Sequence, residues 1–221
     1  MLLEMEHVWR TYQVGDEVVV ALRDANVCIE PGELVAVVGP SGSGKSTFLQ
    51  LVGLLDSPTA GHIRFDGRDV SSLDDRERTR TRLESLGFVF QRFHLLNQLT
   101  ALDNVMLPME AAGVDIEARH MRATGLLASV GMGDRIGFLP SQLSGGQRQR
   151  VAVARAVANG PSVILADEPT GELHTEDKQR VLELFLGFYR EGRTVVVVTH
   201  DPDVASIATR QIEMRDGVLH A

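Results

Sequence analysis

Nine consecutive residues, Gly39-Pro40-Ser41-Gly42-Ser43-Gly44-Lys45-Ser46-Thr47, carry the strongest chemical signal in the chain. They fit G-x-x-x-x-G-K-[ST], a loop whose glycines let successive backbone N–H groups turn inward around a polyphosphate. A helix starting at the end of such a loop adds the partial positive charge of its N-terminus. Lys45 is then expected to reach the β- and γ-phosphates and Ser46 to ligate Mg²⁺, with Gly39, Ser41, Gly42, Ser43, Gly44 and Thr47 completing the cradle. A second group is Asp167-Glu168, which closes the apolar run Ser162–Ala166. Burying two acids at a strand end is costly unless a cation or a polarised water answers them. Asp167 therefore suits a Mg²⁺ contact, and Glu168 suits a base for water.

Three further positions gain meaning from their place. Gln91 follows the short apolar run Leu86–Phe90, and His200 follows Arg193–Thr199. Ends of parallel strands are where ligand groups sit in open α/β sheets, although a histidine alone at such a place is more often a hydrogen-bonded core residue. Ser144-Gly145-Gly146-Gln147 precedes a good helix, so it reads as a second anion site by the same dipole argument, or simply as a cap. Tyr12, where the first strand-like run ends, could stack on an adenine; a core or turn tyrosine would look the same.

The elements that must position these groups are legible in outline. Leu34–Val38 is a buried strand entering the loop, and Thr47–Val52 leaves it as a helix. From Leu2 to Ile29, short β-branched runs separated by turn signals predict an antiparallel layer, and Gly61–Gly67 alternates and closes with Asp-Gly as a further hairpin strand. The charge-dense segment Asp74–Glu84 reads as a solvated helix. Between Arg92 and Arg155 strand runs vanish and helical segments follow one another, among them Ala101 to Gly113 and Asp115 to Val130. That stretch predicts an inserted helical subdomain.

The length of 221 residues suits one domain with a subdomain, and 43% hydrophobic with 24% charged residues is ordinary globular composition. Twenty-two Lys+Arg against thirty Asp+Glu give a net charge of −8. That balance argues against nucleic acid as a partner, because such affinity rests on neutralising phosphates. The single cysteine, Cys28, rules out a disulfide framework and points to a reducing compartment. The longest apolar runs are too short to cross a bilayer, and the acidic N-terminus lacks a signal-peptide profile.

Taken together, these residues resemble the nucleotide-binding subunit of an ABC transporter over essentially the whole chain. The phosphate loop (Walker A), Leu143–Gln147 (the signature) and Val163–Glu168 (Walker B) occur in that family's order and spacing. The resemblance implies an α/β fold: a P-loop NTPase core of ABC ATPase type with an antiparallel β layer and an inserted helical subdomain. It implies one domain over 1–221, with core and β layer in 1–91 and 156–221 and the helical subdomain in 92–155. It also implies Tyr12 as the adenine-stacking aromatic, Gln91 as the link joining Mg²⁺ and lytic water to a membrane subunit, and His200 as the γ-phosphate switch.

Its implied ligands are ATP and Mg²⁺, bound in a head-to-tail homodimer. Each ATP would lie between the Walker loops of one protomer and Ser144, Gly145, Gly146 and Gln147 of the other. The implied activity is ATP hydrolysis driving a separate integral membrane permease at the cytoplasmic face of the inner or plasma membrane, in export or in lipoprotein, peptide or drug extrusion. The alternative is a mechanical or regulatory ATPase that signals through a membrane partner without moving a substrate. A GTPase is disfavoured, since the chain has no N-K-x-D segment. More narrowly, Leu86–Gln91 with Leu95-Leu96 and Leu99–Val105 resembles the branch of lipoprotein-release and macrolide-exporter ATPases. One departure is His174, where the family usually has aspartate in a loop that couples two ATP sites. A histidine can change charge near neutral pH, so it either weakens this coupling in a pH-dependent way or simply hydrogen-bonds there with little consequence.

Overall fold

The computed structural model describes Met1–His220. Two long strands, β1 (Leu3–Val14) and β2 (Glu17–Ile29), form an antiparallel hairpin. β3 (Leu34–Val38) leads through the phosphate loop into α1 (Lys45–Val52). β4 (Ala60–Phe65) and the short β5 (Arg68–Asp69) join the hairpin in a four-stranded antiparallel sheet of order β2-β1-β4-β5. α2 (Asp75–Ser85) is exposed as its charges require, and begins with a reciprocal Asp74–Glu77 capping box.

β6 (Leu86–Phe90), the helices α3 (Ala101–Ala111), α4 (Ile116–Ser129) and α5 (Gly145–Ala156), then β7 (Val163–Asp167) come next. α6 (Thr175–Arg190), β8 (Thr194–Thr199), α7 (Pro202–Ser206), β9 (Arg210–Arg215) and β10 (Val218–His220) complete the described residues. The second sheet has the order β10-β9-β3-β8-β7-β6, and its strands from β9 to β6 run parallel.

Side-chain alternation explains why the second sheet is covered on both faces. Val35, Val37, Leu165, Val196 and Val198 point to one side, where they pack with Phe48 and Leu51 of α1 and with Met5, Leu22 and Ile63 of the antiparallel sheet. Leu34, Ile164, Ala166, Val195 and Val197 point to the other, against Val153 of α5 and Val181 and Phe185 of α6. A third core lies among α3, α4 and α5, from Ala101, Val105 and Met109 to Leu127, Val151 and Ala154. α5 serves two cores at once, with Val153 and Ala156 on the sheet side and Val151 and Ala154 on the helical side.

The hairpin corrects one expectation. Val18–Leu22 and Asn26–Ile29 are not separate strands: both belong to β2. The turn-like residues between them are absorbed by irregular register, with His7 and Asp24 in left-handed conformations (φ 50° and 43°) and the His7 Nδ1 2.8 Å from Asp24 Oδ1.

Candidate functional site

Four strand ends converge on one cleft of about 840 Å³. β3 delivers Pro40, Ser41, Gly42, Gly44, Lys45, Ser46 and Thr47 to its wall; β6 delivers Gln91, β7 Asp167 and Glu168, and β8 His200. The parallel register accounts for this convergence, since Phe90 pairs with Asp167, Asp167 with Val198, and Val38 with Thr199. Gly39 and Ser43 lie behind the wall. Gly39 lends its carbonyl to Lys45, and Ser43 is 3% exposed with a hydroxyl that meets no protein partner.

The loop has the construction an anion needs. α1 starts at Gly44 with no side-chain cap, so its first N–H groups have no partner within the helix. Gly44 itself has φ 104°, and a Cβ there would lie 2.4 Å from the Ala21 carbonyl oxygen, so the β2 backbone closes against the loop only because this residue is glycine. Lys45, 8% exposed, donates to the Gly39 and Pro40 carbonyls at 2.9 Å each, and its ammonium is thus parked inside the loop.

Asp167 and Glu168 stand in contrasting environments. Burial, reinforced by the neighbouring Glu168 charge, raises the Asp167 pKa above the usual carboxylate value, against a Ser46 hydrogen bond and the Lys45 charge. Such a carboxylate gains most from an added cation. Among the described residues no three His, Cys, Asp or Glu side chains form a metal-holding group. Mg²⁺ asks for less, because it keeps several waters and uses one or two carboxylates with phosphate oxygens. Asp167, Ser46 and Gln91 fit that requirement.

Glu168 is held in a left-handed conformation (φ 44°), a costly state for a non-glycine residue and one that clusters at functional sites. Its carboxylate accepts from the Thr199 hydroxyl at 3.0 Å and from the His200 backbone N–H at 3.1 Å, and lies 2.7 Å from His200 Nδ1. Gln149, fully buried in α5, donates to the Pro169 carbonyl at 2.6 Å and ties this turn to the helix.

Two groups of expected residues lie elsewhere. Ser144, Gly145, Gly146 and Gln147 are not in the cleft wall; they form the start of α5, where Ser144 accepts from the Gln147 N–H and Gln147 returns a bond to the Ser144 N–H. Tyr12 is likewise absent from the wall. Its ring lies under the Arg10 guanidinium at 4.5 Å and its hydroxyl donates to Asp56 at 2.8 Å, which draws it aside. Its register partner Val19 does line the cleft.

Val19, Val20, Ala21, Arg23, Asp216 and Gly217 are wall residues that sequence reasoning missed. Only the Asp216-Gly217 turn pair carried a local signal. The β2 residues reach the site through sheet packing, where the Arg23 N–H donates to the Gly217 carbonyl at 2.8 Å.

His174 occupies the N-cap of α6 and makes no capping bond with its side chain. Asp115 and Asp201 cap their helices by accepting N–H groups, so the missing acceptor is a local deficit. His174→Asp is expected to stabilise the fold by about 1 kcal/mol, raising Tm by about 2–4 °C in a chain of this size. A thermal melt of both proteins checks this; an unchanged or lower Tm contradicts it.

A phosphate loop feeding a cleft at the carboxyl ends of a parallel sheet, flanked by an antiparallel sheet and a helical core, defines the P-loop NTPase class in its cassette form. Comparison narrows this. A family profile described as ABC transporter matches residues 22–171. The chain is 48% identical over 218 residues to the macrolide export ATP-binding/permease protein MacB of Marinobacter nauticus, covering 99% of this chain and 34% of that protein. It is 51% identical over 219 residues to the protein of the same name from Rhodopseudomonas palustris, again covering 99% and 34%. It thus spans about a third of the length of the curated relatives it matches. The dimeric post-hydrolysis structure of the ATP-binding cassette MJ0796 bound to ADP and Pi matches with a TM-score of 0.93 at 42% identity, covering 100% of this chain and 97% of that one. The chain belongs to the ABC transporter family.

Proposed function

We propose that this chain binds ATP with Mg²⁺ in the cleft and hydrolyses it, as the ATPase part of a transporter whose membrane-spanning part lies outside these residues. The observation that carries the reading is the convergence of Lys45, Ser46, Gln91, Asp167, Glu168 and His200 on one wall. The loop amides with Gly39, Ser41, Gly42, Ser43, Gly44 and Thr47 hold the phosphates, and Lys45 leaves its carbonyls for the β- and γ-oxygens. Ser46, Asp167 and Gln91 would hold the ion, whose chemistry there would be to neutralise charge on the phosphoryl oxygens. Glu168 orients and deprotonates the attacking water, and His200 stabilises charge at the γ-phosphate. Tyr12 stacks on the adenine with the ring face turned from Arg10.

The start of α5 serves the partner's nucleotide, in a head-to-tail dimer. Its Ser144, Gly145, Gly146 and Gln147 stand outside the cleft of their own protomer, so a second copy is the natural complement. The separate helical core supports a subdomain over 92–155, inserted into a core formed by 1–91 and 156–221.

A second hollow of about 550 Å³, lined by Leu83, Phe88, Phe90 and Pro108 among others, opens between the sheet core and α3. It adjoins the segment after Gln91, where Arg155 of α5 donates to the Phe93 and His94 carbonyls. An apolar seat this near Gln91 suits the membrane subunit, and would hold the chain at the cytoplasmic membrane face. No helix among the described residues is long and apolar enough to cross a membrane. The named relatives favour export as the coupled process; signalling through the same partner without transport is the other reading.

Purified protein is expected to release phosphate from ATP when Mg²⁺ is present and to stop when EDTA removes it. Phosphate release that persists unchanged in EDTA, or none with Mg²⁺ at any protein concentration, contradicts the proposal.

A further inference from the structure

The first turn of α6 carries two adjacent, opposite charges that neither line the cleft nor belong to the signature. Lys178, whose side chain is 14% exposed, lies 2.7 Å from Asp201 and donates to Asp203 at 2.6 Å. Both carboxylates belong to the turn that follows His200. Asp201 is the next residue, and it caps the five-residue α7 by accepting the Asp203 N–H at 2.9 Å. Its own N–H donates to Thr199 Oγ1 at 3.0 Å, the same hydroxyl that donates to Glu168. Beside Lys178, Asp177 pairs with Arg150 of α5 at 3.7 Å and abuts Gly146, where a Cβ would lie 1.9 Å from its carboxyl carbon. The α6 turn is thereby anchored to the signature helix on one side and to the His200 loop on the other.

Burial works against a charge on Lys178, yet its hydrogen bonds to Asp201 and Asp203 more than offset this and raise the ammonium pKa. Burial also opposes ionisation of Asp201, and the bond from Lys178 with the N–H groups of Asp203 and Val204 overcomes it. Without the ammonium, two carboxylates that now share one nitrogen would face each other across a single helical turn. A helix of five residues has little stability of its own with which to resist them.

We propose that Lys178 is a positioning residue for His200: its ammonium neutralises Asp201 and Asp203 and fixes the turn from Thr199 to Asp203, so that the His200 ring and the Thr199 hydroxyl stay on Glu168. This rests on the reading of Glu168 and His200 as the groups that act at the γ-phosphate. A displacement of about 1 Å at such a site is enough to cost turnover heavily.

The test uses the full chain with Lys178→Met, Lys178→Arg, and Lys178→Met combined with Asp203→Asn. Lys178→Met is expected to lower kcat about tenfold with the Kd for ATP within about twofold of the parent, since Lys178 lies outside the cleft wall. Lys178→Arg should stay near the parent, and adding Asp203→Asn to Lys178→Met should recover most of the loss by removing one of the repelling charges. In a His200→Ala background the fold-loss from Lys178→Met should be clearly smaller, with only the Thr199 contact left to disturb. Parent-like kcat in Lys178→Met, or the same fold-loss with and without His200, overturns the proposal. The ring resonances of His200 in nucleotide-free protein give a reading independent of activity. They should move in Lys178→Met and stay in place in Lys178→Arg. Unchanged His200 resonances in Lys178→Met overturn the positioning role even if the protein proves not to hydrolyse ATP, whereas an inactive parent with displaced resonances overturns only the assignment of function.

Discussion

Glu168→Gln is expected to bind ATP as the parent does and to turn it over about 10²–10⁴ times more slowly, the range lost with a positioned base. The substitution keeps the shape and one of the two acceptor oxygens, which take bonds from the Thr199 hydroxyl and the His200 N–H, and removes the charge and basicity. The left-handed backbone at φ 44° is maintained by the Glu168 N–H donating to the Val198 carbonyl at 2.9 Å, a bond that glutamine retains. The fold should therefore survive and the chemistry should fail. Because binding continues without turnover, the variant should also accumulate as an ATP-bound dimer, visible as a shift to larger size on gel filtration with ATP. Turnover within twofold of the parent would remove Glu168 from the mechanism.

Lys45→Ala is expected to weaken ATP binding about 100-fold or more. Two charge-assisted hydrogen bonds to phosphate oxygens, each of the order of 1.5–3 kcal/mol, cover the roughly 2.7 kcal/mol this requires. The same change leaves the Gly39 and Pro40 carbonyls without the ammonium that bonds them in the nucleotide-free loop. Because Lys45 gives those bonds up on reaching the phosphates, their loss in the free loop offsets part of the effect, and the lost phosphate bonds set its direction. Titration with ATP, followed by calorimetry, reads the effect. A Kd within a factor of three of the parent would mean that the phosphates do not lie where the loop points.

The site was legible wherever its residues sit at the end of a continuous apolar run. Gln91, Glu168 and His200 each follow a strand of five or six residues, Asp167 ends one, and parallel pairing aligns those ends without further information. The phosphate loop was legible because its spacing is local. What needed distant chain was not. Val20 and Ala21 enter the cleft through packing of β2 against the loop and the last hairpin, and no local pattern marks them.

Tyr12 was singled out by type and position, yet Arg10 and Asp56 decide where its ring lies, and Asp56 is 44 residues away. The long β2 was divided in expectation because its β-branched residues fall in two short runs; a paired irregularity at His7 and Asp24 carries the strand through the residues between them. The bridges from Asp177 and Lys178 join residues 23 to 27 positions apart, and single charges on a helix give no sign of their partners.

The central claim is that hydrolysis needs the cleft of one copy and the start of α5 from another. Within one chain the two do not meet, since none of Ser144, Gly145, Gly146 and Gln147 lines the cleft. The most direct measurement is ATPase rate per mole of protein across a dilution series at saturating Mg²⁺-ATP, with oligomeric state recorded at each point. The expected result is a specific activity that rises with concentration and levels off where the dimer predominates. A constant specific activity down to concentrations at which the protein is wholly monomeric would contradict the claim.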